Sequence, residues 1–388
     1  MVKTKKKISL YSWPKYSAEE IKIVKKIMSS GKVNYWTGNE CTNFENNFKK
    51  KFKLNYAISV ANGSVALDAA INSLSLKKGD EVLVTSRSYV STASCVQSTK
   101  AKIKFLDIDL KNQNILFSDL ISKINKNTKV IICTHLAGWP CDINKIKKII
   151  NNKNIIIIED CSQAHGAKIN GEFVGSMGDL SVWSFCNDKI ISTLGEGGMV
   201  GCKSFKLWKK IWAYKDCGKN YLKIHSNSNS KNKLFKWVHD DEGTNLRLTE
   251  IQAAVGNYQL KKLDMMVNRR NANCKFLWKN IKKNKYIFSP TVPKNIKHAG
   301  YRCYLYAINK LIRDKFLDYL NENGIDANQG SCPEIYKEKR FSNHEKYKVL
   351  QNAKKLGEIS VSLPSHHLLK KNDLIYMVNK INKFLNKI

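Results

Sequence analysis

A single lysine, Lys189, lies between an apolar stretch and a glycine cluster in the segment SFCNDKIISTLGEGG. Earlier in the chain, a run of four isoleucines leads to an acidic pair, Glu159 and Asp160. A lysine amine can form an imine with an aldehyde, and a carboxylate beside a heteroaromatic nitrogen keeps that nitrogen protonated. Lys189 and Asp160 therefore suit the chemistry of an aldehyde cofactor that contains a pyridine-type ring.

Several other residues could contribute to the same site. Gly63 lets the chain turn, and Ser64 begins a predicted helix whose free amides and hydroxyl group suit a phosphate. Tyr89 could lie over a flat ring. Gln163 could contact a ring substituent, and Ser184 offers a hydroxyl group close to the lysine in sequence. Each of these features is weak when it is taken alone.

The same residues also have ordinary structural explanations. Asp160 could cap the next helix, Ser64 could cap its own helix without a ligand, and Gln163 could bond a backbone group. Tyr89 could simply pack against its neighbours, and His165 is as typical of a hydrogen-bonded core histidine as of a catalytic one. The co-occurrence of these positions, more than any one of them, favours a cofactor site.

The glycine cluster after the lysine does not match two common nucleotide-binding motifs. The glycines at 195–198 lead into a predicted strand at 199–202, whereas a dinucleotide fingerprint leads into a helix. The Walker pattern GxxxxGK[ST] does not occur in the sequence. The lysine and its glycines therefore belong to a different type of site.

The predicted strands indicate how these distant residues could meet. Short β-branched runs alternate with helical patterns, and several runs are apolar on both sides, which predicts an α/β fold with a largely parallel sheet. Ligands bind such sheets outside the carboxyl ends of the strands, where the polar residues described above occur. Strands are predicted at 56–60, 81–85, 103–108, 129–134, 154–159, 181–185 and 199–202, and helices at 64–74 and 91–97.

The pattern changes in the last third of the chain. Residues 248–267 predict a long helix that leads out of the first domain, and a smaller α/β set follows with a strand at 301–308 and a terminal helix at 372–386. We therefore predict a large cofactor-binding domain of residues 1–265, which includes the N-terminal segment, and a small C-terminal α/β domain of residues 266–388.

Composition narrows the range of functions. The chain has 67 Lys+Arg against 32 Asp+Glu, but only seven of the 67 are arginine, so codon bias explains the net charge of +35 better than nucleic-acid binding does. No apolar run has membrane-spanning length, and the basic N-terminus lacks the apolar core of a secretory signal. Eleven cysteines without a CxxC pair predict a reduced, cytoplasmic protein.

The Ser/Asn-rich segment 224–236 predicts a mobile surface loop.

Five motifs occur in order along the chain: NGSVAL, EDCSQAHGA, GSMGDLSVWSF, DKIISTLGEGGMV and GTNLRLTEIQAAVG. Together with GKVNYWTG and HLAGWP, they make the sequence, from about residue 11 onward, resemble the DegT/DnrJ/EryC1/StrS family of sugar aminotransferases. The resemblance implies a fold-type-I aminotransferase that binds pyridoxal 5′-phosphate, with pyridoxamine 5′-phosphate as its aminated form. It further implies a homodimer with shared active sites, and amination of a nucleoside-diphosphate-linked keto sugar with L-glutamate for surface polysaccharide or glycan synthesis. Neither nucleic acid nor a membrane is expected as a partner.

The resemblance also assigns a role to each candidate residue. Lys189 would carry the cofactor and shuttle protons, Asp160 would pair with the pyridine nitrogen, and Tyr89 would stack on the ring. Gln163 would lie near the ring hydroxyl group. The phosphate would be held by Gly63, Ser64 and Ser184, and by Asn245 reaching across from the other subunit. The residues expected near the sugar are Thr37, His135 and Glu196.

Two alternatives to this function stay open. One is another pyridoxal-phosphate activity on the same fold, such as a sugar dehydratase or a lyase. A lineage of the family replaces the lysine by histidine and dehydrates its sugar, and the presence of Lys189 argues against that outcome. The other alternative, motivated by the high charge, is a non-catalytic regulator or a nucleic-acid binder that has retained the fold.

Overall fold

The structure is a computed structural model that describes residues 7–9, 13–151, 154–226, 237–282, 284–342 and 347–388. Its strands are β1 (Tyr56–Val60), β2 (Glu81–Thr85), β3 (Lys102–Leu106), β4 (Thr128–Thr134), β5 (Ile156–Asp160), β6 (Lys168–Ile169), β7 (Glu172–Phe173), β8 (Leu180–Ser184), β9 (Gly198–Cys202), β10 (Ile287–Phe288), β11 (Ile296–Lys297), β12 (Cys303–Ala307) and β13 (Ser360–Leu363).

Its α-helices are α1 (Ala18–Ser30), α2 (Glu40–Phe52), α3 (Gly63–Asn72), α4 (Ser91–Ser94), α5 (Phe117–Lys123), α6 (Ile143–Ile150), α7 (Phe205–Lys215), α8 (Tyr221–His225), α9 (Glu250–Asn280), α10 (Lys310–Glu322), α11 (Lys339–Ser342), α12 (Gln351–Ile359) and α13 (Lys371–Leu385). Several begin where the sequence supplies a capping side chain. Ser17 and Glu20 form a reciprocal capping box at the start of α1, and Thr249 and Gln252 form one at the start of α9.

The main sheet has seven strands in the order β1-β9-β8-β5-β4-β2-β3. The pairs β2–β3, β2–β4, β4–β5 and β5–β8 are parallel, whereas β9 is antiparallel to both of its neighbours, β1 and β8. This arrangement confirms the prediction of an α/β fold with a mostly parallel central sheet flanked by helices. The carboxyl ends of β2, β4, β5 and β8 consequently meet at one edge.

Apolar side chains cover both faces of the main sheet. Leu83, Ile131 and Ile157 pack in one buried cluster, and Val84 and Ile132, the next residues on β2 and β4, pack in a second cluster on the opposite face. Successive side chains of a strand point to opposite faces, so a strand that is buried on both faces must be apolar throughout. This is the physical reason for the unbroken isoleucine and valine runs in the sequence.

A smaller sheet, ordered β10-β12-β13, belongs to the C-terminal part of the chain. Its core includes Leu305 and Val361, together with Leu277 from the end of α9 and Ile8 from the N-terminal segment. Helix α9 is continuous through residue 265, so the predicted division into two domains falls inside one helix. The division at that point remains a prediction.

Two further sequence expectations can be compared with the structure. Ile224 and His225 end α8, so the segment 224–226 is partly helical, and residues 227–236 of the expected loop lie outside the described residues. Within the described part of the chain, no helix combines the length and apolarity that a membrane crossing requires. All eleven cysteines have free thiols.

Candidate active site

A cavity of about 650 Å³ lies at the edge where β2, β4, β5 and β8 end. Its wall combines residues that follow these strands with the start of α3 and with parts of the C-terminal region, including Tyr301, Arg302 and Ser331. Most of the sequence-predicted site residues line it, namely Gly63, Ser64, Tyr89, Asp160, Gln163, Ser184, Lys189 and Glu196. The other three, Thr37, His135 and Asn245, are not part of its wall.

The start of α3 forms a cradle that suits a phosphate. Asn62 caps the helix by accepting a hydrogen bond from an amide of the first turn at 3.0 Å. A Cβ atom at Gly63 would lie 2.6 Å from the Cβ of Ser184, so the close approach of these two segments requires glycine. The free amides at the helix start and the hydroxyl groups of Ser64 and Ser184 then provide donors to an anion in the cavity.

Asp160 ends β5 and is buried in the cavity wall. Thr92 Oγ1 donates a hydrogen bond to one carboxylate oxygen at 2.9 Å, and the Ser162 amide donates to the other at 3.1 Å. These bonds fix the orientation of the carboxylate. A fixed, buried carboxylate that faces a cavity can hold the proton of a pyridine-type ring nitrogen in place.

The Lys189 amine lies among three polar side chains. Its Nζ atom is 3.2 Å from Oδ1 of Asp188 and donates a hydrogen bond to the Tyr301 hydroxyl group at 3.1 Å. Asp188 Oδ2 accepts hydrogen bonds from Tyr301 and, at 2.9 Å, from Arg302. Burial alone lowers the pKa of Lys189, but Tyr301 and Asp188 outweigh burial, so the pKa is raised above its ordinary value.

The main chain at Lys189 is held from two sides. Trp13 Nε1 donates a hydrogen bond to the Lys189 carbonyl oxygen at 2.5 Å, and the Lys189 amide donates to the Cys186 carbonyl oxygen at 3.0 Å. The next two residues, Ile190 and Ile191, are fully buried. The N-terminal segment and the core together therefore fix the backbone of the lysine.

Tyr89 and Gln163 both line the cavity but differ in their freedom. Tyr89 is 68% exposed, so its ring is available to cover a ligand. Gln163 Oε1 accepts a hydrogen bond from the Ala137 amide at 2.8 Å, and Nε2 donates to Ser331 Oγ at 3.4 Å. Gln163 thus bonds a backbone group, as the simpler explanation expects, and still presents a surface to the cavity.

His135 lies behind the cavity wall, so the expectation that it approaches a sugar does not fit its placement. Its ring is fully buried, with Nε2 2.9 Å from Glu159 Oε2 and Nδ1 accepting a hydrogen bond from the Cys141 amide at 2.8 Å. Burial raises the pKa of Glu159, but His135 and backbone amides such as that of Gly175 outweigh it and lower the pKa. Cys161 is close enough to complete a metal-binding trio, yet both ring nitrogens of His135 are already engaged.

His165 belongs to the core. Its ring is fully buried against the rings of Trp183 and Phe185, with centroid distances of 5.4 and 5.7 Å. Burial, followed by the charges of Lys189 and Arg270, lowers its pKa to about 3, so the imidazole is neutral. Because His165 does not line the cavity, the structure favours the core explanation over a catalytic one. The hydrogen bond that this explanation expects is absent among the described residues, where neither ring nitrogen has a partner.

Thr37 and Asn245 lie in two exposed segments. Thr37 Oγ1 donates a hydrogen bond to the Asn34 carbonyl oxygen at 3.0 Å, and Asn245 forms an isolated β-bridge with Asp216. Neither side chain lines the cavity. Their roles remain predictions.

Another lysine, the fully buried Lys215, supports these exposed segments. Its Nζ atom is 3.8 Å from Asp216 Oδ2 and 3.5 Å from the centre of the Tyr35 ring. The other oxygen of Asp216 binds Lys219 at 2.9 Å and Arg247 at 2.7 Å. Burial lowers the pKa of Lys215 to about 8 against the opposing effect of the nearby carboxylates.

Comparison with known proteins identifies the family. Residues 14–382 match the DegT/DnrJ/EryC1/StrS aminotransferase family. The chain belongs to this family.

Two curated relatives and one solved structure cover nearly the whole chain. GDP-perosamine synthase of Escherichia coli O157:H7 is 32% identical over 347 residues, which cover 89% of this chain and 90% of that protein. The dTDP-3-amino-3,6-dideoxy-alpha-D-galactopyranose transaminase of Aneurinibacillus thermoaerophilus is 30% identical over 370 residues, with coverage of 95% and 96%. The aminotransferase structure from Psychrobacter cryohalolentis is 36% identical, with a TM-score of 0.93 and coverage of 97% of this chain and 98% of that chain.

Membership of the DegT/DnrJ/EryC1/StrS aminotransferase family confirms the predicted enzyme class and the predicted cofactor, pyridoxal 5′-phosphate. The residues of the cavity fit this cofactor. The cradle at Gly63 suits its phosphate, the Asp160 carboxylate suits its ring nitrogen, and the Lys189 amine suits its aldehyde. All three groups face one cavity in this chain.

Sequence reasoning missed several residues that the structure brings to the site. Thr92 orients Asp160, Trp13 holds the Lys189 backbone, and Asp188, Tyr301 and Arg302 surround the lysine amine. A signal for Asp188 was present, because an aspartate that directly precedes the proposed cofactor lysine is a charged partner within reach. The other four lie far from their partners in sequence and depend on tertiary packing.

Proposed function

We propose that this enzyme transfers an amino group from L-glutamate to a keto sugar or keto-deoxy sugar that is carried on a nucleoside diphosphate. The product would be the corresponding amino sugar, used in surface polysaccharide or glycan synthesis. The names of the two curated relatives, a GDP-linked perosamine synthase and a dTDP-linked amino sugar transaminase, support this substrate class. The free thiols support a reducing compartment such as the cytoplasm.

The observation that carries the proposal is the shared cavity of Lys189, Asp160 and the α3 cradle. Pyridoxal phosphate, when bound, supplies an electron sink for the carbon that gains or loses the amino group. Asp160 keeps the ring nitrogen protonated, which makes that sink effective. The glycine at position 63 lets α3 begin directly against Ser184, and the first residues of this helix line the cavity where its amides suit a phosphate.

Lys189 moves the proton of the reaction. Between attachments to the cofactor aldehyde, its amine is free to accept a proton from the α-carbon of the amino donor. In the second half of the reaction it returns a proton to the carbon of the sugar. Tyr89 would cover the ring and Glu196 would contact the sugar, since both line the cavity.

A homodimer completes the site in this proposal. Asn245 of one subunit would reach the phosphate bound in the other, and Thr37 would approach the sugar from the same side. The exposure of both residues, and their position outside the cavity of their own subunit, supports this role. Mixed dimers that combine a Lys189→Ala subunit with an Asn245→Ala subunit are expected to regain up to one working site.

The first experiment treats the purified enzyme, loaded with pyridoxal phosphate, with borohydride and identifies the modified tryptic peptide by mass spectrometry. Modification is expected at Lys189 in the wild-type protein and in Lys206→Ala, a control on the exposed surface of α7. Lys189→Ala is expected to lose both the modification and at least about 10³-fold in turnover, because it removes the proton-transferring amine. Modification at another lysine would refute the assignment.

A second experiment distinguishes transamination from dehydration and lysis. The enzyme is incubated with L-glutamate and a panel of GDP-, UDP- and dTDP-linked keto sugars. A transaminase releases 2-oxoglutarate in proportion to amino sugar, whereas a dehydratase or lyase consumes the sugar without that ratio. Consumption of sugar without 2-oxoglutarate would overturn the proposed donor and reaction.

A further inference from the structure

Four side chains form a continuous polar cluster on the cavity wall: Asp188, Lys189, Tyr301 and Arg302. Tyr301 and Arg302 both donate to Oδ2 of Asp188, which leaves Oδ1 free to face the Lys189 amine at 3.2 Å. Tyr301 also accepts a hydrogen bond from the amine at 3.1 Å. The carboxylate is therefore held in position by two donors and directed at the lysine.

The geometry accounts for two of the three hydrogens of a Lys189 ammonium group. One points to Asp188 and one to the Tyr301 oxygen. A carboxylate at this distance favours the charged form of an amine, and Asp188 itself is kept ionised because Lys189, Tyr301 and Arg302 together outweigh its burial and lower its pKa. The cluster thus stabilises a protonated lysine at the place where a proton must be received.

We propose that Asp188, clamped by Tyr301 and Arg302, is a positioning residue that directs the Lys189 amine and stabilises the ammonium group that forms when this amine accepts the donor's proton. The inference rests on the proposed function, because it concerns the lysine that carries the cofactor there. When the bond between the donor's α-carbon and its hydrogen breaks, the proton moves to Nζ and the electron pair stays with the substrate and its cofactor. Asp188 stabilises the ammonium group that results.

The same interaction has an opposite effect on cofactor capture. Attack on an aldehyde requires a neutral amine, and Asp188 disfavours the neutral form. Capture starts from the free lysine, which is mostly an ammonium group, so removal of the Asp188 charge is expected to speed it. Proton abstraction is carried out by the neutral amine that the donor has displaced, so the same change is expected to slow that step by lowering the basicity of the amine. A residue with a purely structural role would slow both processes or neither, so the two measurements together isolate the positioning role.

Other charged or titratable groups near the amine must stay unchanged in the comparison. Asp160, Cys186 and Glu196 line the same cavity. His165 faces the lysine from the core, and Arg270 of α9 lies beside Asp188, Tyr301 and Arg302. None of these five is altered in Asp188→Asn, which preserves side-chain size. Asp314→Asn is the matched control, because Asp314 also pairs with an adjacent arginine, at 2.6 Å, but lies outside the cavity.

The first measurement uses cofactor-free protein and does not depend on turnover. Pyridoxal phosphate is added near neutral pH, and covalent capture at Lys189 is followed by borohydride quenching and mass spectrometry. Asp188→Asn is expected to raise the capture rate about tenfold or more relative to wild type and Asp314→Asn. Competitive acetylation of the cofactor-free protein across the alkaline range gives a second readout, in which the labelling midpoint of Lys189, but not of exposed Lys206, moves to lower pH.

The second measurement follows deuterium exchange at the α-carbon of L-glutamate by the loaded enzyme in heavy water. Asp188→Asn is expected to slow this exchange at least about threefold, because a less basic amine is a poorer proton acceptor. Tyr301→Phe is expected to change both rates in the same directions, and it provides the test if Asp188→Asn does not fold. Slower capture in both variants, or no change in either rate, would overturn the inference, whereas wild-type capture at a lysine other than Lys189 would instead refute the proposed function.

Discussion

Half-buried Lys189 and fully buried Lys215 each lie beside an aspartate in sequence, yet their pKa values shift in opposite directions. The Lys189 amine has Asp188 at 3.2 Å and a hydroxyl oxygen at 3.1 Å. The Lys215 amine is 3.8 Å from Asp216, and among the residues that the structure describes it has no hydrogen-bond partner. Lys189 is stabilised as a cation, whereas Lys215 has a pKa of about 8 and so loses its proton more readily.

The difference lies in how each carboxylate is shared. Asp188 is oriented by one hydroxyl group and one arginine through a single oxygen, so its second oxygen remains available to Lys189. Asp216 binds two other cations through its well-placed oxygen and offers Lys215 only a distant one. Proximity to an aspartate does not by itself offset the cost of burying a lysine. Hydrogen-bond geometry decides whether burial is compensated.

The strongest test of the difference between the two lysines is to replace each aspartate in turn. Asp216→Asn is expected to lower the free energy of unfolding by about 3–5 kcal/mol, because it removes the anion that Lys219 and Arg247 share and leaves Glu45 as the main carboxylate near buried Lys215. Asp188→Asn is expected to cost less, since the Asp188 side chain is 27% exposed and water can replace part of its effect. Urea unfolding of both cofactor-free variants measures the difference. Equal losses would show that the two pairs are equivalent.

The pH dependence of the free energy of unfolding tests the lowered pKa of Lys215. Lys215 has a folded pKa of about 8, below an unfolded value of about 10.4. Between these pH values the unfolded chain binds more protons than the folded protein, so the Lys215 contribution to stability rises with pH. Relative to Lys215→Met, the wild-type protein is expected to gain up to about 3 kcal/mol across that window.

Lys189→Met is the matched control for this pH experiment. Because the folded pKa of Lys189 is raised, its contribution is present below the unfolded pKa and is lost only as the pH rises through the folded value. The Lys189 substitution should therefore leave the pH dependence of stability unchanged in the Lys215 window, between the folded pKa of about 8 and the unfolded value of about 10.4. Unfolding midpoints of the cofactor-free proteins at several alkaline pH values test this, and parallel curves for Lys215→Met and wild type would contradict the assignment.

The smallest effect is expected at a third lysine–aspartate pair, Lys51 and Asp264, which is the shortest of the three at 2.5 Å. Its side chains are 26% and 59% exposed. Asp264→Asn is expected to change the free energy of unfolding by less than about 1 kcal/mol, since solvent and salt screen an exposed pair. Unfolding at low and high salt checks this, and a loss comparable with that of Asp216→Asn would show that distance matters more than sharing and burial.

Much of the fold could be predicted because its main sheet is buried on both faces. The run Ile155–Ile158 and the valines of β2 have few alternatives to a central parallel strand. Asp160 and Lys189 could be placed at the ligand-binding edge for the same reason, since each follows a strand of that sheet. Where predicted strand ends differed from the structure, they did so by one or two residues. These differences did not move Asp160 or Lys189 away from the ligand-binding edge of the sheet.

The rest of the site depends on packing between distant parts of the chain. Tyr301 and Arg302 were predicted to begin a strand, but β12 starts at Cys303, and the two side chains instead meet Asp188 on the cavity wall. His135 does follow β4, but no sequence pattern indicates that its ring turns inward to Glu159. The roles of residues that would act across a dimer cannot be read from one chain either.

The fixed backbone at Lys189 limits how this enzyme can work. With its carbonyl oxygen bound to Trp13 and the following isoleucines buried, the lysine can reach new positions only by rotating the bonds of its own side chain. Both carbons that exchange a proton must consequently lie within the small arc swept by one amine. Donor and acceptor molecules that differ greatly in size have to present their reacting carbons at nearly the same point, so selectivity must come from the walls that hold the remainder of each molecule.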